Sequence, residues 1–177
     1  GEFLAFCGTL GFGRLLCEGA PDALSRLRKW SSDPRWRLRE AVAMALQRLG
    51  DCDLQALLRA MEDWSRGTPL EQRAAVAALC EPRLLTSKRY TLRVIRLLDR
   101  VTESLAGAHG RRSQEFKVLR KGLGYAWSVA AAALPTEGKA AMEKWFLTRD
   151  RDVRWIMREN LRKSRLSRID PAWVKKW

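Results

Sequence analysis

The chain has 177 residues, of which 34 are Lys or Arg and 20 are Asp or Glu, so its formal net charge is +14. Hydrophobic residues make up 46%, which is ordinary for a globular protein and excludes a disordered or fibrous chain. The longest apolar run, residues 123–134, has about 12 residues, whereas a membrane-spanning helix needs about 20. We therefore expect one globular domain over residues 1–177 and no membrane partner.

The first 17 residues are apolar and contain Gly8, Gly11 and Gly13. They match neither the GxGxxG nor the GK[ST] pattern of a nucleotide-binding loop. They also lack the basic start of a secretory signal. We predict a poorly defined helix here, or a truncated first repeat.

The stretch from Asp33 to Gly50 shows the clearest helical pattern. Its apolar residues recur at steps of three and four, which predicts a helix with one buried face. Asp33 is suited to the N-cap, Pro34 to the first turn and Gly50 to the stop. The apolar residues are Leu38, Val42, Ala45, Leu46 and Leu49.

This unit recurs along the chain. A tryptophan precedes an arginine by nine residues in three places: Trp30 and Arg39, Trp64 and Arg73, and Trp145 and Arg154. Arg39 and Arg73 are 34 residues apart, and 34 residues before Arg154 is Arg120. Such a period indicates helix pairs repeated in tandem.

The helices predicted in chain order are 20–31, 33–49, 54–64, 70–80, 88–105, 114–134, 137–148 and 152–163. Breaks are expected at residues 67–69, at Pro82, at Pro135 and, in the tail, at Pro171. The predicted fold is an all-α solenoid of four to five antiparallel helix pairs. Its repeats cover 20–50, 53–84, 88–134 and 137–166, followed by a basic tail at 167–177.

The cysteines are spaced without any CxxC pair, and His109 is the only histidine. These spacings argue against a zinc site, and we expect no metal and no cofactor. Each cysteine has apolar neighbours, which favours buried free thiols over disulfides and a reducing, cytoplasmic location. His109 lies in a predicted turn, where we expect it to be exposed and without a catalytic role. The four cysteines are Cys7, Cys17, Cys52 and Cys80.

The positive charge is unevenly distributed. From Lys144 to Trp177 there are 11 basic and 4 acidic residues, and from Arg111 to Lys121 there are 5 basic and 1 acidic. A helical solenoid needs no such excess to fold, so polyanion binding is its physical interpretation.

Two segments carry a resemblance to a known family. Asp33 followed by Leu38-Arg39-Glu40-Ala41, and Asp150 followed by Val153-Arg154, resemble the HEAT-type repeat over roughly residues 20–166. A small basic protein of this type also resembles the HEAT-like alkylpurine DNA glycosylases. That resemblance implies a concave basic face for duplex DNA, with aromatic residues and an aspartate on it, but the spacing here identifies no catalytic residue.

The arginines at the repeated position have two interpretations. In HEAT-type stacks, the resemblance implies that such an arginine pairs with the aspartate of its own or a neighbouring repeat. Arg39, Arg73 and Arg154 would then form an internal ladder, an interpretation we prefer to contact with nucleic acid.

Other cations are better candidates for phosphate contact because no repeat ladder requires them. The last predicted helix has a basic face opposite its apolar stripe. Trp36 and Trp155 lie beside such arginines and could stack on a base, although packing between repeats is preferred. Trp30, Trp64, Trp127 and Trp145 are predicted to lie in the core. The candidate nucleic-acid-binding cations are Arg35, Arg37, Lys117, Arg120, Lys121, Arg151, Arg158, Arg162 and Arg165.

Three functions remain open from the sequence. The first, which we favour, is a monomeric solenoid that binds nucleic acid, with duplex DNA as the leading ligand, through its phosphate backbone. The second is a DNA glycosylase for alkylated bases, which would need a carboxylate to stabilise positive charge on the sugar. The third is a scaffold for an acidic protein. The candidate carboxylates are Asp33, Asp150, Asp152 and Glu159, and capping already explains those at helix starts.

Overall fold

The computed structural model describes residues 1–177, and most of these residues lie in helices. It contains eleven α-helices and no strand, so the all-α prediction is confirmed. None of the helices combines the length and apolar character needed to cross a membrane. The chain divides into two compact units, unit 1 (Gly1–Leu79) and unit 2 (Cys80–Trp177). The prediction of a single domain stays a prediction.

Unit 1 is organised around its third helix. That helix, α3, packs against α1, α4 and α5, and α2 contacts α1 and α3. The predicted apolar face of α3 is buried, from Leu38 to Leu49. The five helices of unit 1 are α1 (Glu2–Cys17), α2 (Ala23–Trp30), α3 (Trp36–Cys52), α4 (Leu54–Trp64) and α5 (Pro69–Leu79).

Both predicted ends of α3 are wrong by about one turn. The helix begins at Trp36, since the Asp33 carboxylate accepts from the backbone N–H and the guanidinium of Arg35 and so makes a turn before the helix. Gly50 lies inside the helix, because a glycine costs a helix only about 1 kcal/mol. The helix ends where Asp53 turns away and caps α4 by accepting from the N–H of Ala56 over 2.8 Å.

The prediction of free buried thiols is wrong for three of the four cysteines. Cys17 and Cys52 form a disulfide between the C-terminal ends of α1 and α3, with a Cα–Cα distance of 5.9 Å. Cys7 is free and exposed. Only Cys80 is free and buried, and burial raises the pKa of its thiol to about 12. The prediction of a reducing compartment rested on buried free thiols, and the disulfide removes that basis.

Close packing of α1 on α3 explains why the two cysteines meet. A Cβ atom at Gly13 would lie 2.8 Å from the Arg48 side chain and 3.0 Å from the carbonyl oxygen of Ala45. Glycine at this position therefore lets α1 lie against α3 along its length. The 35-residue spacing of the two cysteines alone could not indicate this contact.

Unit 2 is organised around α7, which contacts α6, α8, α9 and α10. A short 3₁₀ turn (Pro82–Leu84) precedes the helices. Pro135, predicted as a stop, is the first residue of α8, because proline is suited to the first turn. The helices are α6 (Lys88–Ala106), α7 (Gln114–Ala133), α8 (Pro135–Phe146), α9 (Arg151–Leu161), α10 (Ser164–Ile169) and α11 (Pro171–Lys176).

A buried polar network joins α7 to its neighbours. The Trp127 indole N–H donates to the Thr102 hydroxyl over 3.0 Å. The fully buried Asn160 amide donates to the carbonyls of Leu123 and Ile156 and accepts from the N–H of Ser128. Because every polar group in this network has a partner, it fixes α9 on α7 without an unsatisfied buried amide.

The tail at 167–177 is folded onto unit 2. Pro171 breaks it as predicted, and Asp170 caps α11 by accepting from the N–H of Trp173. The Trp173 indole is buried and donates to Glu143 of α8 over 2.8 Å. Two aromatic contacts of Phe146, with Trp173 and Trp177, complete this packing.

Candidate functional site

Nearly all of the excess positive charge belongs to unit 2. Unit 2 has 23 basic and 10 acidic residues, a net charge of +13, whereas unit 1 has 11 basic and 10 acidic residues, a net charge of +1. A polyanion site is therefore expected in unit 2.

Two neighbouring recesses lie beside α7 and α9, with volumes of about 490 and 480 Å³. They share Lys117, Arg120 and Trp155, and together they form what we call the basic cleft. The first is also lined by Arg111, Arg112, Phe116, Arg151 and Asp152. The second is also lined by Lys121, Gly124, Tyr125, Glu159 and Lys163. Seven cations and two carboxylates thus line the cleft.

Helical periodicity explains why these side chains converge. Lys117, Arg120 and Lys121 lie on one face of α7, at steps of three and four, while Phe116 and Leu119 are buried on another. On α9, Arg151, Trp155 and Glu159 are four residues apart and line the cleft from the other side.

The absence of a side chain at Gly124 allows α9 to approach α7 at the cleft. A Cβ atom at this position would lie 3.2 Å from the Trp155 ring and 3.3 Å from the Cβ of Glu159. Alanine here would push the Trp155 ring by a few tenths of an ångström, so Gly124 helps to set the position of that ring.

Asp152 joins the two helices electrostatically. Its carboxylate, whose side chain is only 6% exposed, accepts from Arg120 Nη1 over 2.5 Å and from Arg111 Nη1 over 3.0 Å. Arg111 Nη1 also lies 2.6 Å from Asp150 Oδ2. Arg111 donates as well to the carbonyls of Ala106 and Ala108, so its guanidinium is held on several sides.

Asp150 caps α9, as expected of a helix-start carboxylate, and its pKa shows how firmly it is held. Burial acts to raise the pKa, but the N–H donors of Val153 and Asp152 and the Arg111 guanidinium together outweigh burial and lower it. The hydrogen bond to Asp150 is in turn the main reason why the pKa of Arg111 is raised. Both groups are therefore charged near neutral pH, and their role is to hold the start of α9.

Arginines already cover the aromatic rings around the cleft. The Arg120 guanidinium carbon lies 4.1 Å from the centre of the half-buried Trp155 ring. Arg165 lies 4.5 Å from the centre of the Tyr125 ring and donates to the Tyr125 hydroxyl. This arrangement favours the packing alternative for Trp155 over stacking on a base.

The structure brings together five of the residues predicted to bind nucleic acid and leaves three others of unit 2 outside the lining of the cleft. Arg158 is exposed, and Arg162 pairs with Glu159 over 2.6 Å. Arg165 is engaged by Tyr125. The five residues that line the cleft are Lys117, Arg120, Lys121, Arg151 and Trp155.

The three predicted residues of unit 1 form their own cluster. Arg35 binds both oxygens of Asp33, at 2.9 and 2.8 Å. Arg37 lies 4.7 Å from the centre of the Trp36 ring and 3.4 Å from the Glu2 carboxylate. Trp36 is 59% exposed, unlike Trp155.

The repeated arginines are held internally at two of three positions, but not by the expected aspartate. Arg73 donates to the carbonyl of Arg39 over 3.2 Å and to the Glu40 carboxylate. Arg39 donates to the carbonyls of Asp33 and Pro34, because the Asp33 carboxylate is occupied by Arg35. Arg154, at the third position, is exposed.

Two of the tryptophans predicted to lie in the core are fully buried, Trp64 and Trp127. Trp30 and Trp145, by contrast, are only half-buried. Trp30 packs edge-on against Phe12 of α1, so its position in the repeat does not place it at the centre of the core.

Sequence reasoning missed five side chains of the cleft, one of which is the buried Phe116. Arg111 and Arg112 lie in the basic run that ends at Lys121, so charge clustering could have identified them. Lys163 and Tyr125 could be found only from the packing of α7 against α9. His109 is exposed, as predicted.

Each carboxylate considered for glycosylase chemistry has an arginine partner. Asp33 pairs with Arg35, and Glu159 pairs with Arg162. Asp150 and Asp152 are held by arginines of the cleft. Comparisons with known protein families, with curated proteins and with solved structures find no match for this chain.

Proposed function

We propose that unit 2 binds nucleic acid through its phosphate backbone, with duplex DNA as the first ligand to test, and that the basic cleft is the contact surface. The observation that carries this proposal is the unbalanced charge of the cleft. Its two carboxylates are already engaged by arginines, whereas four of its cations form no ion pair. These four are Arg112, Lys117, Lys121 and Lys163.

Unpaired cations on a concave surface are suited to a polyanion for a physical reason. Each phosphate that a Lys or Arg neutralises releases condensed counterions, which provides affinity without reading sequence. Because the ring of Trp155 is covered by Arg120, the cleft presents charge rather than a stacking platform, which supports binding with little base preference.

The fold proposed for this function is the HEAT-like solenoid of tandem helix pairs. Two contacts support it: Arg73 bonds to the carbonyl of Arg39, 34 residues earlier, and α3 lies against both α1 and α5. A regular offset between equivalent helices is what stacked repeats require.

Binding is a better proposal than base excision. A glycosylase needs a carboxylate that is available to the sugar, and each of the four candidates already pairs with an arginine, Asp152 with three. The cap that Asp150 forms on α9, and the arginine partners of all four, account for these carboxylates without a reaction.

The test is binding of the full chain to a short labelled DNA duplex, measured by fluorescence anisotropy near physiological salt. Replacing Lys117 and Lys121 by alanine is expected to weaken binding by about tenfold. The matched control replaces Lys175 and Lys176, two exposed lysines of α11, and should weaken it far less. No binding by the wild-type chain, or equal losses in both variants, would overturn the proposal. Binding to an acidic protein instead would favour the scaffold function.

A further inference from the structure

Arg120 differs from the other cations of the cleft because two neighbours fix its guanidinium while donors remain free, whereas all three nitrogens of Arg111 donate within the protein. Its Nη1 atom donates to the buried Asp152 carboxylate, and its guanidinium carbon lies over the Trp155 ring, 4.1 Å from the ring centre. The side chain nevertheless keeps 31% of its surface exposed. Lys117 and Lys121, by contrast, are exposed and form no ion pair.

A fixed guanidinium has a consequence for anion binding. With Nη1 engaged, Arg120 retains the Nε and Nη2 donors, and neither forms a hydrogen bond within the protein. Two parallel N–H donors match the oxygens of a phosphate group, as an ammonium group cannot. Because the side chain is already ordered, little rotamer entropy is lost when it binds.

The position of Asp152 also indicates that the guanidinium of Arg120 is held in place. A carboxylate in a cleft for a polyanion opposes binding by charge alone. Asp152 accepts from Arg111 as well as from Arg120, and Arg111 is itself held by Asp150 and by two carbonyls. Asp152 is thus a rigid anchor for Arg120, supported from α9 and from the segment before α7.

We propose that Arg120 is the residue of the cleft that fixes the position of a backbone phosphate. It binds one backbone phosphate through two N–H donors, and Asp152 and Trp155 are its positioning residues. This inference rests on the proposed function and adds the group of the ligand that is recognised and the geometry that recognises it. The lysines around Arg120 then supply attraction that depends on charge, not on geometry.

Replacing Asp152 by asparagine separates geometry from charge, because the two predict effects of opposite sign. If the cleft acts only through its charge, Asp152→Asn removes a repulsive carboxylate and binding becomes tighter. If Asp152 positions Arg120, the same change loosens the guanidinium and binding becomes weaker. The matched control is Glu159→Gln, which removes the other carboxylate lining the cleft, one that pairs with the exposed Arg162 rather than with Arg120.

The experiment measures the affinity of the full chain for the labelled duplex in these two variants. We expect Asp152→Asn to weaken binding by about fivefold and Glu159→Gln to tighten it by up to about twofold. Tighter or unchanged binding by Asp152→Asn would overturn the proposal.

A second pair of variants keeps the charge constant, so it decides the question even if Asp152→Asn fails to fold. Arg120→Lys keeps the positive charge but loses the paired donors, and we expect about tenfold weaker binding with an unchanged salt dependence. Arg158→Lys, the control, makes the same change at an exposed arginine of α9 outside the lining of the cleft and should bind like wild type. Equal affinities for Arg120→Lys and wild type would overturn the proposal.

The two proposals fail in distinguishable ways. If the wild-type chain does not bind nucleic acid, the proposed function is wrong. If the wild type binds with a steep salt dependence and Arg120→Lys is indistinguishable from it, only the role of Arg120 is wrong. Thermal unfolding of each variant shows whether a lost affinity comes from a lost fold.

Discussion

The two units of this chain are built from the same kind of helix, yet their arginines have different roles. In unit 1, where net charge is +1, Arg28 pairs with Asp63 and Glu71, and Arg73 pairs with Glu40. In unit 2, where net charge is +13, Arg111 and Arg120 pair with carboxylates while the lysines beside them stay unpaired. The helical pattern therefore predicts the fold, and the balance of charge within each unit is the basis for proposing that a ligand binds to unit 2.

The largest expected effect is a loss of stability in unit 1 alone, when its disulfide is removed. The Cys17–Cys52 disulfide joins residues 35 apart in sequence, and loop-closure entropy predicts a loss of about 3–4 kcal/mol when it is removed. Replacing both cysteines by serine should therefore lower the stability of unit 1. Urea unfolding followed by hydrogen exchange should show lost protection in α1–α5 and unchanged protection in α6–α9. Equal losses in both units would contradict the separation of the two units.

The next effect compares one arginine that supports the fold in each unit. Arg111→Ala would leave Asp150 and the nearly buried Asp152 with fewer partners, and we expect a loss of about 2–3 kcal/mol in the free energy of unfolding. In unit 1, Arg28→Ala should cost about 1 kcal/mol, because Asp63 is largely exposed and Glu71 still accepts from the N–H of Thr68. Chemical denaturation of both variants checks the order, and a larger loss for Arg28→Ala would contradict it.

A smaller effect is expected on DNA affinity when two positive charges are removed from unit 1 and, for comparison, from unit 2. Arg35→Ala with Arg37→Ala in unit 1 should weaken DNA binding by less than about twofold. The double change of Lys117 and Lys121 in unit 2 is expected to weaken it by about tenfold. Anisotropy titrations at one salt concentration compare the two directly. If the unit 1 variant loses as much affinity as the cleft variant, the assignment of binding to unit 2 is wrong.

The smallest effect concerns acid stability. The pKa of Asp150 is lowered in the folded state, so its ionised form stabilises the fold above its unfolded pKa of about 4, and that stability is lost as pH falls through the folded pKa. Asp150→Asn keeps a good N-cap residue but removes this titration. The variant should be less stable at neutral pH and lose less stability on acidification than wild type. Urea midpoints measured across the acid range check this, and an unchanged acid dependence would contradict it.

Periodicity and capping predict the helices well, because both are local. The bounds of α4 agree with the prediction at both ends, and α6 and α7 differ from it by one residue at one end. The predicted helix ends are wrong where a side chain can choose between partners. Asp33 binds Arg35 instead of capping α3. At the other end, α3 continues through Gly50 and ends at Asp53, which caps α4. A local pattern cannot decide between such partners.

The candidate site is predictable in part, and for a similar reason. Helical spacing alone predicts that Lys117, Arg120 and Lys121 share one face of α7. The pairing of Arg120 with Asp152, 32 residues later, and its contact with the Trp155 ring depend on the packing of α7 on α9. The Cys17–Cys52 disulfide likewise depends on tertiary contact. Contacts between residues this far apart in the chain cannot be predicted from a single sequence.

The most direct test of the account measures the affinity of the chain for a DNA duplex across a series of salt concentrations. A phosphate-binding cleft predicts a steep linear fall of log K with log salt, and the change of Lys117 and Lys121 to alanine should make the slope shallower by about 1.8, since each phosphate contact contributes about 0.9. The change of Lys175 and Lys176 should leave the slope nearly unchanged. A wild-type chain that does not bind, or a slope unaffected by removing the cleft lysines, would contradict the claim that unit 2 holds nucleic acid in this cleft.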